Sequence, residues 1–184
     1  MLKINNQYLL TFVYEETLNC LKSPKNKRIK INMQYYLNDK KLNKIEKQKA
    51  EKDGLKIFEE LDDYALKGWE EMDEVDLQMR LKWYGLFWRP KTPGRFMMRL
   101  RVPNGILNSN QLRVIASIVA RYGEDGSADI TTRQNIQLRG VLINDLPDII
   151  KRLREVDITS VQSGMDNPRN VTGNPLAGID PEEI

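Results

Sequence analysis

The chain has 184 residues, a net charge of only +3, no histidine and a single cysteine, Cys20. Without an imidazole there is no Ser-His-Asp triad, no histidine general base and no histidine-ligated zinc or haem. One thiol supplies neither an internal disulfide nor the ligands of an iron–sulfur cluster, so any metal chemistry linked to this chain is incomplete within it.

The length suits one domain of ordinary size with an appendage. The longest apolar run, Tyr8 to Tyr14, is far too short to span a bilayer and no small-residue cleavage site follows it, which points to a cytoplasmic protein with no membrane span. Charge is unevenly spread. Residues 1–55 carry 12 basic and 6 acidic side chains, nearly all the basic ones lysine, whereas residues 83–139 carry 9 and 3, nearly all the basic ones arginine. A lysine run of that kind reads as solvated surface. The planar fork of arginine suits carboxylates, phosphates and small oxyanions.

Residues 1–41 have weak periodicity, broken at Ser23-Pro24-Lys25-Asn26-Lys27-Arg28, and are expected to form a poorly organised extension. Residues 42–82 read as a helical arm: from Asp53 to Arg80 the apolar Phe58, Leu61, Ala65, Trp69 and Met72 recur at steps of three and four, an amphipathic helix weakened at Gly68. Trp83 to Pro90 concentrates the aromatic residues and reads as a buried anchor, followed by a turn at Pro90, Pro93 and Gly94. Arg95 to Val102 then alternates as a strand, with Phe96, Met98, Leu100 and Val102 on one face and Arg95, Met97, Arg99 and Arg101 on the other. Ser109 is the expected N-cap of a helix striped by Leu112, Ile115, Ala116, Val119 and Ala120 and stopped at Gly123. Ser127–Thr131 and Ile136–Ile143 read as strands joined by a polar turn, with Gln137 and Arg139 on one face of the second. Asn144 is the expected cap of a last helix through Leu146, Ile149, Ile150 and Leu153, and Ile158–Val161 is the expected last strand. The order over 83–160 is β-α-β-β-α-β, an α+β, ferredoxin-like half-domain with helices on one face of its sheet.

The other face is where the chemistry is expected. Arg95, Arg99, Arg101 and Arg139 belong to it, with Arg133 on the adjoining turn and Arg169 in a loop beyond the last strand. Guanidinium groups this crowded repel one another unless anions lie between them, so the face suits a polycarboxylate, a polyphosphate or a nucleic-acid backbone. An RNA-binding sheet stacks bases on aromatic residues of its central strands, and this face has none, so an arginine-rich RNA-binding module is the less favoured reading.

Three segments carry a resemblance to a known family: Phe96 to Gly105, Ala128 to Gly140 with Thr131-Thr132-Arg133-Gln134-Asn135 at its centre, and Ser163-Gly164-Met165-Asp166-Asn167-Pro168-Arg169-Asn170. Together with Lys49-Ala50-Glu51-Lys52-Asp53-Gly54-Leu55 they resemble, in the correct order, the amino-terminal half of the ferredoxin-dependent nitrite reductases of the sirohaem nitrite and sulfite reductase superfamily. The resemblance runs from about Leu42 to Ile184. It implies six-electron reduction of nitrite to ammonia at a sirohaem coupled to a [4Fe-4S] cluster, with reduced ferredoxin as donor and a monomer as the complete protein; sulfite reductase is the alternative within the superfamily. By resemblance Arg99 and Arg169 hold the anionic substrate, while Arg133, Gln137 and Thr131, with Arg101 and Arg139, contact the cofactor. Residues 161–184 resemble the start of the sirohaem and cluster domain. The family's cluster cysteines lie beyond it, so this chain alone is expected to be incomplete and inactive, with no metal ligands of its own. Tyr35–Leu55 already resembles a family amino terminus, from which translation is expected to begin at Met33. The lysines at 40–52 are a candidate patch for acidic ferredoxin.

Overall fold

The computed structural model describes residues 42–176 and 178–181. The expected extension, with Cys20 and Met33, lies outside them. The chain divides into two compact units between Glu51 and Lys52. In the first, helix α1 (Lys44–Glu51) starts where Asn43 Oδ1 accepts the Glu46 N–H at 2.9 Å. Everything that follows belongs to the second.

The expected long helix from Asp53 to Arg80 is instead a chain of short pieces: a 3-10 segment Gly54–Glu60, α2 (Leu61–Lys67), a turn at Trp69–Glu71, α3 (Glu74–Gln78) and a 3-10 segment Arg80–Tyr84. The breaks have local causes. Gly68 ends α2 at φ 96°, where other residues are strained, and the carboxylates of Asp53 and Asp73 cap the N–H groups that open the next pieces. The apolar stripe still works as packing: Leu61, Ala65 and Met72 are buried, with Phe58 and Trp69 partly so. Gly54 is needed for a close approach, because a Cβ there would stand 2.3 Å from the Trp83 ring.

The aromatic segment supplies β1 (Leu86–Trp88), which pairs with β2 (Arg95–Leu100). After β2 come α4 (Ser109–Tyr122), β3 (Ala128–Ile130), β4 (Ile136–Leu142) and α5 (Leu146–Arg154). The sheet is antiparallel throughout in the order β1-β2-β4-β3. Phe96, Met98, Leu100, Leu138 and Val141 pack with Ile115, Ile118 and Val119 of α4 and Leu146, Ile149 and Leu153 of α5, and Ile57, Leu61 and Leu81 join the same core. This is the α+β, ferredoxin-like arrangement expected, preceded by helices. Among the described residues no helix is long and apolar enough to cross a membrane.

Four local expectations are corrected. The cap of α4 is Asn108, not Ser109: Asn108 Oδ1 accepts from Gln111 N–H at 2.9 Å and Gln111 Oε1 accepts from Asn108 N–H at 3.0 Å, a reciprocal box that Ser109 is one residue too late to form. Asn144 does not cap α5; its amide donates to the Ala65 carbonyl at 2.6 Å and ties α2 to the end of β4. Met97, beside a register shift between Phe96 and Met98, is buried despite its place on the polar side of the alternation, outside the main core and against a cavity it lines with Arg95 and Arg139. The last strand is one bridge, Arg101 to Thr159, because Asp157 and Gln162 on either side adopt φ of 56° and 57° and bend the chain away from an extended path.

Candidate anion site

The register puts Arg99 of β2 opposite Gln137 of β4, and Gln137 opposite Asp129 of β3, so one row crosses the outer face of the sheet. Arg99 is fixed at every end. Its N–H donates to Gly85 O at 2.8 Å, its carbonyl accepts the Ser163 hydroxyl at 2.9 Å, its guanidinium donates to Ser163 O at 3.0 Å, and that guanidinium lies 4.5 Å above the Phe87 ring. Gly85 makes this knot possible. At φ 72°, a Cβ there would sit 2.3 Å from Ser163 Oγ and 2.8 Å from Arg99 O.

Arg133 lies on the turn between β3 and β4. Thr131 builds that turn: its hydroxyl oxygen accepts from the N–H groups of Arg133 at 3.3 Å and Asn135 at 3.2 Å, and its own N–H donates to Asn135 O at 2.9 Å. Gln134 takes φ 57°. Arg169 lies on the loop that follows Thr159, and that loop folds back along the end of the sheet. Arg101 reaches it through Val161 O at 3.4 Å and Pro168 O at 3.2 Å.

The sequence-derived arginines therefore divide into two sets. Arg139 is compensated by Asp129, 2.5 Å from its guanidinium, Arg95 is paired with Glu124 at 3.5 Å, and Arg101 is spent on loop carbonyls. Arg95 and Arg139 line a separate 270 Å³ cavity with Arg89, Lys91 and Glu124. Arg133 and Arg169 are exposed, and neither side chain has a hydrogen bond or ion pair among the described residues. Gln137 is likewise without a side-chain partner among them. Burial first, then the nearby charges of Arg169 and Arg133, make Arg99 less willing to stay protonated than an ordinary arginine. Arg99, Arg133 and Arg169 thus form one cluster of positive charge that no carboxylate among the described residues neutralises, at the end of the row that carries Gln137. Among the described residues no group of histidine, cysteine, aspartate and glutamate side chains is placed to hold a metal ion.

Ser163, Phe87 and Asn170 were not singled out by the sequence reading, though Ser163 and Asn170 fall inside the third resembling segment. Alternation of polarity exposes a strand face. It does not reveal a hydrogen bond to a residue 64 positions away, as between Arg99 and Ser163.

Comparison with known proteins bears on the fold that carries these residues. Residues 89–156 match the model of the nitrite/sulfite reductase ferredoxin-like half domain. A protein named ferredoxin-nitrite reductase from Leptolyngbya laminosa is 59% identical over 143 residues, covering 78% of this chain and 28% of that protein. The chloroplastic ferredoxin-nitrite reductase of Spinacia oleracea is 55% identical over 151 residues, covering 78% and 25%. Among solved structures, the NirA protein of Mycobacterium tuberculosis superposes with a TM-score of 0.67 at 32% identity, covering 74% of this chain and 28% of that one. The chain spans about a quarter of the length of the curated relatives it matches. Residues 89–156 are thus similar to the nitrite/sulfite reductase ferredoxin-like half domain, and the chain as a whole is similar to part of the ferredoxin-nitrite reductases.

Proposed function

We propose that this chain is the amino-terminal part of an assimilatory ferredoxin-dependent nitrite reductase and supplies the anion-binding wall of its active site. The observation that carries the reading is the cluster of Arg99, Arg133 and Arg169, held in place by the backbone yet lacking any protein counter-charge among the described residues. Such a cluster fits two anions together: a small oxyanion and the carboxylates of a sirohaem. Arg133 and Gln137, beside the Thr131 turn, would hold the cofactor's carboxylates. Arg101 and Arg139 already have partners and would contribute less. Sirohaem with its [4Fe-4S] cluster would supply the electrons that reduce nitrite to ammonia, received from reduced ferredoxin.

The part played by the chain itself is electrostatic. Arg99 and Arg169 attract nitrite and orient it. As the N–O bonds break, charge grows on oxygen, and donors already aimed at that place stabilise it without reorganising. Guanidinium does not surrender its proton near neutral pH, so these side chains bind and stabilise while protons come from solvent. Rigidity matters here: the hydrogen bonds of Arg99 and its stacking on Phe87 leave it little freedom to follow the substrate away. A cytoplasmic, monomeric enzyme is the accompanying expectation.

The test is an assay of the complete protein with reduced ferredoxin, following nitrite loss and ammonia formation. Arg99→Ala and Arg169→Ala are each expected to raise the nitrite KM by at least about tenfold. Full activity in both variants would refute the assignment. Preference for sulfite over nitrite in the same assay would assign the chain to the other branch of its family.

A further inference from the structure

The three guanidinium groups stand on three separate stretches of chain: β2, the β3–β4 turn and the loop after Thr159. Like charges push these stretches apart, and the side chains of Arg133 and Arg169 make no bond among the described residues that resists. Asn170, immediately after Arg169, does. Its amide nitrogen donates to Val102 O, three residues beyond Arg99, at 2.8 Å, and to Arg133 O at 2.9 Å, with Gln134 O at 3.5 Å. An asparagine amide has two hydrogens, and the first two of these carbonyls use both. The neighbouring ties reach fewer of the stretches. Gln134 Nε2 donates to Gly173 O at 3.1 Å and its Oε1 accepts from Gly173 N–H at 3.0 Å, while Asn104 N–H donates to Val171 O at 2.8 Å. Among the described residues Asn170 alone bonds both the segment just after β2 and the Arg133 turn while adjoining Arg169.

We infer that Asn170 is a positioning residue of the anion site, fixing Arg169 and Arg133 relative to Arg99 so that the cluster is formed before the anion arrives. The inference rests on the nitrite-reductase reading for the identity of that anion. A preformed cluster meets its repulsion during folding rather than during binding, and affinity gains accordingly. Asn170 touches neither substrate nor cofactor in this role; it acts through Arg169 and Arg133.

The test uses the complete holoenzyme that contains this chain. In Asn170→Ala, the nitrite KM and the Kd read from nitrite titration of the visible spectrum of the resting enzyme are both expected to rise about tenfold, with kcat within about twofold of the parent. Sirohaem content and the unfolding midpoint are expected to stay near those of the parent. In an Arg169→Ala background the same substitution is expected to add little, since it acts through the residue already removed. An unchanged nitrite Kd in Asn170→Ala, an additive loss in the double variant, or a loss of affinity that only tracks loss of sirohaem overturns the proposal. If Asn170→Ala does not accumulate, Asn170→Ser, which keeps one donor, is read instead. It is expected to raise Kd about threefold, and no rise overturns the proposal equally. If Arg99→Ala and Arg169→Ala both bind nitrite normally, the nitrite reading itself falls and the proposal with it. An intact dependence on both arginines beside an indifferent Asn170 condemns the proposal alone.

Discussion

Two clusters of charge in this molecule are built on opposite terms. In the helical segment, Asp76 is 1% exposed and takes hydrogen bonds from Arg80 at 2.6 Å, Lys52 at 2.8 Å and Tyr64 at 2.9 Å, while Lys52 also reaches Glu60 at 2.7 Å. Burial on its own would raise the Asp76 pKa, but the bonds from Arg80, Lys52 and Tyr64 outweigh it and hold the carboxyl below its ordinary range. At the sheet, Arg99, Arg133 and Arg169 have no carboxylate partner among the described residues, and burial first, then the charges of Arg169 and Arg133, work against protonation of Arg99. The first cluster is closed and serves folding. The second is left open at the expense of some stability, which is what a site for an external anion requires.

The sharpest way to break this contrast is Asp76→Ala, which takes from buried Arg80 its closest carboxylate and from Lys52 one of two, and is expected to destabilise the complete protein by about 3 kcal/mol in denaturant titration. A cost near zero would make the closed cluster ornamental. The same carboxylate sets a pH limit. A depressed folded-state pKa contributes stability above the ordinary carboxylate value and loses it as pH falls through the folded value, so the parent is expected to weaken below about pH 4, and Asp76→Asn to lack that acid limb. Gly85→Ala places a methyl group 2.3 Å from Ser163 Oγ at φ 72° and is expected to cost about 2 kcal/mol, with weaker anion binding because the Arg99 knot shifts. Asn108→Ala removes the α4 cap and is expected to cost about 1 kcal/mol while leaving anion affinity untouched, which separates loss of fold from loss of site. The smallest stability effect belongs to the open cluster. Arg169→Ala is expected to leave the thermal midpoint unchanged or slightly higher, since it relieves repulsion, and a marked fall would show that the cluster is not open.

Much of this was legible from the residues because strands advertise their faces. The alternation through Arg95–Val102 predicts Arg99 outward and Leu100 inward, and both are found so, since the period of two survives any fold that buries one face. Helix α5 was legible for the same reason at its own period; α4 was legible as a helix, but its buried face is Ile115, Ile118 and Val119, while Leu112, Ala116 and Ala120 of the expected stripe are exposed. What periodicity misses is whatever depends on a distant partner or a local backbone reversal. Nothing near Arg139 in the strand pattern says that Asp129 lies 2.5 Å away across a hairpin. The fragmentation of the Asp53–Arg80 helix turns on Asp53 and Asp73, which read equally well as solvated charges or as caps. Of the arginines on the polar face, the sequence identifies the members. Only the packed chain separates those already neutralised from those still waiting for an anion.

The Asn170 clamp has a consequence for how this surface tolerates change. Each acceptor it uses, on Val102 and Arg133, is a main-chain carbonyl. Every amino acid brings that atom, so the side chains at those positions are free to drift, or to be altered by design, without unfastening the loop. A saturation scan would therefore find position 170 demanding and position 102 permissive towards other apolar residues of similar size. One asparagine would hold the geometry constant while the chemistry displayed around it is retuned.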